Sequence, residues 1–317
     1  MKKFILALFL ATILFAVACT SASKVEFVQG DHQIDVKING KLFTSYIYRA
    51  DLTKPVLYPL LSPSGVKLNR GFPFEKIEGE STDHPHHTGI FFTYDEVNKD
   101  GFWNNTNSPP QIQHVEVAEM TSGEGKGRLS VVMNWVAKSG KTLLQENRTM
   151  LFSPGKNSVT IDFDLKLTAR DTTVVFHDTK EGMFAIRVAQ WLTEKNGTAK
   201  YTSSNGDQTE KEVWGKRADW VKLEGEKDGK TYGIAIICHP GGTNSPTYWH
   251  ARGYGLFAAN PLGQGVFQQA RKEENPQSLN LTLQPGESAI FLFRVIIYEG
   301  TMSTEQLNSE LKDFAAM

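Results

Sequence analysis

Alternating apolar and polar positions predict a chain built almost entirely of β-strands. Over residues 159–167 every second side chain is apolar, and the positions between carry Thr, Asp or Lys, which is typical of a strand with one buried and one solvated face. Residues 290–298 are apolar at nearly every position except Arg294, as expected for a central strand covered on both faces. The Asn-Gly pair at 39–40 predicts a hairpin, because it suits a type I′ turn.

Only the end of the chain has a convincing helical pattern. Ser303 is suited to cap a helix and Gln306 follows three residues later, as in a capping box. Leu307 and Phe314 would then share one face. Many short strands and one helix predict an all-β fold, a large antiparallel β-sandwich or supersandwich with a short C-terminal helix. We see no repeat or linker, so we expect residues 25–317 to form a single β-sandwich domain.

The first residues predict export. Two lysines precede an apolar run, which is typical of a secretory signal peptide at 1–18. Small residues before Cys19 resemble a bacterial lipoprotein box, so we expect a lipidated Cys19 and a lipid-anchored tether at 19–24; cleavage by ordinary signal peptidase is the alternative. This places the protein in the periplasm or at the outer membrane, with membrane contact only through the lipid anchor.

Charge and cysteine content narrow the classes of partner. The chain has 34 Lys and Arg against 35 Asp and Glu, and no basic stripe indicates a nucleic-acid partner. The only cysteine besides Cys19 is Cys238, which follows an apolar run. We therefore expect a buried, inert thiol there and a fold that does not depend on disulfides.

The strongest candidate for a functional site is the histidine run, residues 83–89. Three of the protein's 8 histidines lie within four positions of this run, beside Asp83. Imidazoles ligate metals or move protons near neutral pH. If the run is extended, His84 and His86 point to one face and His87 to the other. Acid–base chemistry or substrate hydrogen bonding, metal ligation and a structural loop are three interpretations that stay open.

Metal ligation requires more than a His-x-His pair. Pro85 excludes a helical metal-binding motif, and structural metal sites have several tightly spaced ligands. Further ligands would have to come from the following side chains: Asp83, Asp95, Glu96, His177 and His250. The cofactor is therefore unknown; a divalent metal is conceivable but not favoured.

Two further clusters carry chemistry. Residues 177–183 place His, Asp and Glu between apolar runs, a common way to present catalytic groups at strand ends, although a solvated hairpin tip with an ion pair is the alternative. Residues 247–252 combine aromatics with His and Arg, which suits a sugar platform; packing in the core is the alternative there.

Together the clusters define the candidate site residues. We expect catalysis by His84, His86, Glu181 and His250. We expect substrate binding by His87, Asp95, Glu96, Trp103, Asn104, His177, Arg187, Trp249, Arg252 and Asn260.

The chain resembles a known family of exported bacterial proteins. The resemblance is carried by the segments 83–89, 91–98, 102–103, 181–189, 214–220, 246–250 and 255–263. The family is the PmoA-like family of unknown function, whose members are often labelled "methane oxygenase PmoA". It implies a large β fold in bacteria that degrade plant and animal glycans, and it supplies no established catalytic residues. By fold-level analogy the chain also resembles galactose-mutarotase supersandwiches, in which histidines and carboxylates on one concave sheet face act on sugars.

Three function hypotheses remain. The first is an exported carbohydrate-active protein that performs acid–base chemistry on a glycan or sugar: cleavage, elimination or epimerisation. In it His86 or His84 is the acid or electrophile and Glu181 the base, with a small molecule or oligosaccharide as ligand. The second is a non-catalytic glycan-binding lipoprotein. The third is a metal-dependent oxidase, as the family label suggests.

Overall fold

The computed structural model describes residues 23–106 and 108–317. The strands, in chain order, are β1 (Lys24–Gln29), β2 (Gln33–Ile38), β3 (Lys41–Ile47), β4 (Val56–Leu57), β5 (Ile90–Tyr94), β6 (Gln111–Thr121), β7 (Gly123–Glu124), β8 (Gly127–Val136), β9 (Thr142–Pro154), β10 (Ser158–Ala169), β11 (Val174–Phe176), β12 (Gly182–Arg187), β13 (Lys200–Ser203), β14 (Arg217–Ala218), β15 (Trp220–Lys227), β16 (Lys230–Cys238), β17 (Thr247–Ala251), β18 (Leu256–Asn260), β19 (Leu281–Leu283) and β20 (Ser288–Glu299). The helices are α1 (Thr209–Val213), α2 (Gln264–Ala270) and α3 (Thr304–Ala315), with a 3₁₀ turn at Gln190–Leu192.

The strands form two large sheets with antiparallel pairing. One sheet has ten strands in the order β14-β17-β18-β12-β5-β4-β3-β2-β1-β7, and the other has eight in the order β13-β15-β16-β20-β10-β9-β8-β6. Strands β11 and β19 make a separate pair. Apolar side chains from both large sheets pack in one cluster. The predicted all-β antiparallel sandwich with a C-terminal helix is therefore confirmed.

The clearest sequence patterns correspond to observed elements. The alternating segment 159–167 lies in β10, which pairs with β9 on one side and β20 on the other. The Asn-Gly pair at 39–40 joins β2 to β3 with both residues at positive φ, as a type I′ turn requires. At α3, Ser303 and Gln306 make both hydrogen bonds of the capping box.

One face of the ten-stranded sheet is turned away from the shared core, and we call it the outer face. Phe184 of β12 packs in the core, whereas its neighbour Ala185 points to the other side of the strand. In register, Ala185 stands opposite Phe91 of β5 and Ala258 of β18, and Ala258 stands opposite His250 of β17. Across the outer face, Ala185 and Ala258 thus lie side by side between Phe91 and His250.

Some predictions fall at or beyond the limits of the described residues. Residues 1–22, which hold the predicted signal peptide and the predicted lipidation site at Cys19, lie outside them. Among the residues that are described, no helix is both long and apolar enough to cross a membrane. Cys238 ends β16, and its burial raises the pKa of the thiol.

Candidate active site at the histidine run

Arg70 holds the histidine run in place. Its guanidinium donates to the Asp83 carboxylate oxygen Oδ1 at 2.8 Å and to the Asp83 carbonyl oxygen at 2.7 Å. It also donates to the carbonyl oxygens of His84 at 2.9 Å and His87 at 3.0 Å. Arg70 is itself buried. Its hydrogen bonds therefore fix the run to the protein body through main-chain carbonyl oxygens as well as through the Asp83 side chain.

Arg187, at the end of β12, meets the same carboxylate. Its Nη2 donates to Asp83 Oδ1 at 2.8 Å and to the Ser81 hydroxyl at 3.2 Å, and its Cζ lies 4.6 Å from the centre of the Tyr254 ring. Burial raises the pKa of Asp83, but the Arg187 charge and hydrogen bonds from Ser81 and His84 outweigh it and lower the pKa to about 2. Asp83 is therefore ionised at neutral pH.

The histidine run is a turn and not an extended segment. The His87 backbone N–H donates to the His84 carbonyl oxygen at 3.0 Å, and His84 has a φ of 43°. The His84 ring stacks on the His87 ring with 4.9 Å between the ring centres, and on the Tyr254 ring with 5.4 Å between them. The angle between the ring planes is 7° in both pairs. His86 meets His87 edge to face at 4.3 Å. The expectation for an extended run, with His87 facing away, is therefore wrong, because the turn gathers all three rings.

Burial keeps two of these histidines neutral. Desolvation, followed by the Lys54 charge, lowers the pKa of His86 to about 3. Burial also lowers the pKa of His87 well below its usual value, and His86 and Arg187 add to the effect. At neutral pH each ring therefore offers one hydrogen-bond donor and one acceptor.

Several buried nitrogens at this cluster have no hydrogen-bond partner among the described residues. They are His86 Nε2, His87 Nδ1, His87 Nε2, Trp103 Nε1 and Arg187 Nη1. Trp103 packs 5.5 Å from His87 and 5.1 Å from Phe91, so it belongs to the same group. Buried polar groups are partnered in the great majority of cases, so this concentration makes the cluster a candidate for contact with polar atoms from outside the chain, either water or a ligand.

A pocket of about 220 Å³ adjoins the histidine run, and we call it the Lys54 pocket. Its lining includes Lys54, His86, Thr88 and Asn105. A larger depression of about 370 Å³ lies nearby and is lined by His32, Tyr48 and His114 among others, but none of the unpartnered nitrogens of the histidine cluster lines it. His86, which carries one of these nitrogens, lines the smaller pocket, so we take that pocket as the candidate site.

A second group of polar side chains lies beyond Tyr254. His250 Nδ1 donates to the Lys180 carbonyl oxygen at 2.8 Å, and burial lowers the pKa of His250 to about 3. Glu181 forms an ion pair with Lys180, and no ion pair joins it to a histidine in the described part of the chain. Arg252 pairs with Glu210 at 2.7 Å and lies 5.6 Å from the Tyr254 ring centre.

Asp95 and Asn104 border the site, whereas Glu96 and His177 lie apart from it. The Asp95 carboxylate accepts from the Asn104 side-chain amide at 3.1 Å and from its backbone N–H at 3.3 Å, and so shapes the loop that carries Trp103. Glu96 and His177 are exposed side chains, joined by a backbone hydrogen bond of 2.9 Å. We find no contact that brings them to the histidine run.

Trp249 and Asn260 are occupied within the protein. Trp249 is fully buried in the shared core, where its indole N–H donates to the Ala218 carbonyl oxygen at 3.0 Å, so we no longer expect it to stack on a ligand. The Asn260 side chain donates to the Thr179 carbonyl oxygen at 2.9 Å and accepts from the backbone of Leu262 and Gly263, both at 3.1 Å. It ties two turns together.

Four residues that the site description uses were not among the predicted ones: Lys54, Arg70, Asn105 and Tyr254. Tyr254 had a signal, since an aromatic between two glycines followed the 247–252 cluster, and Asn105 follows the predicted Asn104. Lys54 and Arg70 are single cations with apolar residues close by in the chain, and only their burial distinguishes them.

The metal interpretation lacks a ligand set in this structure. Within residues 23–106 and 108–317, no three His, Cys, Asp or Glu side chains are grouped so that they could hold a metal ion. Two of the proposed additional ligands, Glu96 and His177, lie on the surface away from the run.

Comparisons with known proteins give a family but no activity. A family model for a family of unknown function, DUF6807, matches residues 33–312. This agrees with the expected family of unknown function and does not test the PmoA-like label. No curated protein matches the chain.

Similar solved structures are distant. Galactose 1-epimerase from Lactobacillus acidophilus NCFM has 9% identity and a TM-score of 0.42, covering 88% of this chain and 100% of its own. A galactose mutarotase-like protein from Clostridium acetobutylicum has 11% identity and a TM-score of 0.42, covering 89% and 99%. The GH36 α-galactosidase AgaB from Geobacillus stearothermophilus has 12% identity and a TM-score of 0.35, covering 86% and 40%. At this distance they transfer neither a residue role nor an activity.

Proposed function

We propose a sugar-binding site with acid–base chemistry for this chain, which belongs to the family of unknown function DUF6807. The site lies between the histidine run and the Lys54 pocket. The observation that carries the proposal is the set of buried, unpartnered nitrogens on His86, His87, Trp103 and Arg187. Leaving such groups without a partner costs about 1–3 kcal/mol each, so a ligand that supplies oxygen atoms to them gains affinity.

The chemistry of these groups suits a sugar. A neutral imidazole both donates and accepts, and so does a hydroxyl group. The His84 ring, whose side chain is 42% exposed, is stacked on Tyr254 with 5.4 Å between the ring centres, so it adds an accessible imidazole that can hydrogen-bond a hydroxyl group.

His86 is the residue that we assign to proton transfer. It is neutral at pH 7 because its pKa is lowered to about 3, so it can hydrogen-bond a sugar oxygen or accept a proton from it. Glu181 would act as a base only after release from Lys180. Cleavage, elimination and epimerisation all fit this acid–base assignment.

A second candidate function is glycan binding without catalysis. Two observations favour it: Glu181 is paired with Lys180, and a histidine with a pKa near 3 is a weak base, whereas efficient general bases have pKa values near the working pH. For both candidates we further propose export and a lipid anchor at Cys19, on the sequence pattern alone.

Thermal-shift measurements with mono- and oligosaccharides test the proposal, because a ligand of the native state raises the melting temperature. A saccharide shift that is abolished in His86→Ala and kept in His177→Ala, an exposed histidine that lies apart from the histidine run, is the expected result. Turnover of the bound saccharide that is lost in His86→Ala would make the protein an enzyme; binding without turnover would favour the second candidate. A shift that is unchanged in His86→Ala would remove the site from this pocket.

A further inference from the structure

Lys54 is a buried lysine that forms no ion pair with any residue that the structure describes. Its side chain is 3% exposed, and its ammonium group lies 5.6 Å from the centre of the Phe91 ring. Its one hydrogen bond in the described residues is a 3.5 Å contact with the Thr53 hydroxyl. Lysines are almost never fully buried unless they are paired, because an isolated buried charge is costly.

The acidic groups nearest to Lys54 are engaged elsewhere. Asp95 favours the charged lysine from a distance, but its carboxylate accepts two hydrogen bonds from Asn104 and makes no ion pair with Lys54 among the described residues. Asp51, which also lines the pocket, pairs with Arg49 at 3.0 Å. Neither carboxylate compensates the Lys54 charge directly.

The remaining polar lining of the Lys54 pocket complements an anion attached to a hydroxylated ring. Lys54 and His86 supply donors, and His86 Nε2 is buried and unpartnered. Asn105 supplies an acceptor, since its Oδ1 is buried without a partner in the described part of the chain while its amide donates to the Pro110 carbonyl oxygen. A positive group and an acceptor on one wall fit a ligand with an acidic group next to a hydroxyl.

We propose that the Lys54 pocket binds the acidic group, a carboxylate or a sulfate ester, of an anionic sugar. The inference rests on the proposed sugar site and deepens it by naming the substrate class. Neutral sugars would leave the lysine uncompensated, whereas an anionic sugar would give it the ion pair that the protein does not provide. The anionic group therefore decides which sugars bind tightly.

Binding of an anion also changes the neighbouring histidine. The Lys54 charge is the largest charge effect that lowers the pKa of His86. An anionic group beside Lys54 offsets that charge and so raises the pKa of His86. Burial, the larger cause of the lowered pKa, remains, so His86 stays neutral at pH 7 when the anion is bound.

Calorimetric titration tests this inference with matched sugars: glucuronate against glucose, galacturonate against galactose, and glucose 6-sulfate. We expect at least one anionic sugar to bind ten or more times more tightly than its neutral parent, and Lys54→Met to bring that ratio close to one. Met has a similar length and carries no charge, and its thermal unfolding checks that the variant folds. A preference for the sulfated sugar alone would identify the anion as a sulfate ester.

A second measurement needs no variant. Lys54 has its pKa lowered by burial to about 7, while the nearby His86 stays neutral above pH 6. Raising the pH from 7 to 9 should therefore reduce the affinity for the anionic sugar by up to tenfold per pH unit, and the affinity for its neutral parent much less. Equal binding of anionic and neutral sugars at all pH values would overturn the inference and leave the sugar site standing. No measurable binding of any saccharide would overturn both.

Discussion

The Arg187 guanidinium donates to Asp83 Oδ1 at 2.8 Å through Nη2, while its Nη1 is buried without a partner in the described protein. One side of the guanidinium therefore anchors the histidine run. The other side is enclosed, since Arg187 is 1% exposed, so a ligand reaches Nη1 only if the surrounding side chains move.

Replacing Asp83 should destabilise the protein and weaken ligand binding together. Asp83→Asn leaves the buried charges of Arg70 and Arg187 without their carboxylate. Breaking a wholly buried pair costs about 3–5 kcal/mol; Asp83 is 44% exposed, so we expect about 2 kcal/mol in urea unfolding. The control is Glu119→Gln at the exposed Arg128 pair, which should cost under about 1 kcal/mol. Equal effects of the two variants would contradict the anchor role.

Gly89 should not tolerate a side chain. It has a φ of 59°, and a Cβ there would lie 2.2 Å from the Leu57 carbonyl oxygen, so Gly89→Ala must displace backbone at the end of the histidine run. We expect a loss of about 3 kcal/mol or more in the free energy of unfolding. In the control, Gly140→Ala, the φ is 83° but nothing lies within 4 Å of the Cβ; the cost should be about 1 kcal/mol. Similar losses in both variants would refute the steric explanation.

Acid should destabilise the protein through its buried histidines. His86 and His250 have pKa values lowered by burial to about 3, and unfolded histidine titrates near 6.5. Between these values the unfolded chain binds more protons, so the free energy of unfolding falls as the pH falls from about 6.5 toward 3. His250→Asn, which can keep a donor for the Lys180 carbonyl oxygen, should reduce this slope at pH 5 by about 1.4 kcal/mol per pH unit.

Urea unfolding at pH 7, 6 and 5 measures that slope. The exposed His32→Asn serves as the control. An unchanged slope in His250→Asn would mean that His250 is protonated in the folded protein at pH 5, against the burial that the structure describes.

Trp103 and Trp135 should respond differently to the same substitution. Both are fully buried, but the Trp135 indole N–H donates to Glu146 at 2.8 Å, whereas that of Trp103 has no partner within residues 23–106 and 108–317. We expect Trp135→Phe to cost about 2–3 kcal/mol, because it removes a bond to a buried carboxylate. Trp103→Phe should change stability by less than about 1 kcal/mol and weaken saccharide binding about tenfold. Unaltered saccharide affinity in Trp103→Phe would exclude its indole N–H from ligand binding.

The sequence predicts the parts of the fold that local pattern determines. The alternation in β10, the hairpin at 39–40 and the capping box of α3 each depend on residues close together in the chain, and all three are observed. The sequence could not predict that Trp103 lies at the candidate site whereas Trp249 lies in the shared core. The register of β17 against β18 decides which side chains of β17 face the core.

The candidate site was only partly predictable for the same reason. The histidine run is visible because its residues are adjacent, and Arg187 because it follows a cluster. Lys54 and Arg70 reach the site through long-range packing, and nothing next to them in the sequence distinguishes a buried cation from a solvated one. Glu181 was predicted from its position at a strand end, but in the structure its carboxylate forms an ion pair with the neighbouring Lys180.

Arg70 donates hydrogen bonds to the main-chain carbonyl oxygens of Asp83, His84 and His87 and so holds the histidine run by its backbone. The path of the loop therefore depends little on which side chains stand at 84, 86 and 87. The chemistry of the loop and the path of its backbone can therefore change independently. Evolution or a protein engineer can exchange the imidazoles for other groups while the hydrogen bonds from Arg70 hold the backbone in place. A loop that is held by its backbone in this way can acquire new chemistry through single substitutions, without a change in its conformation.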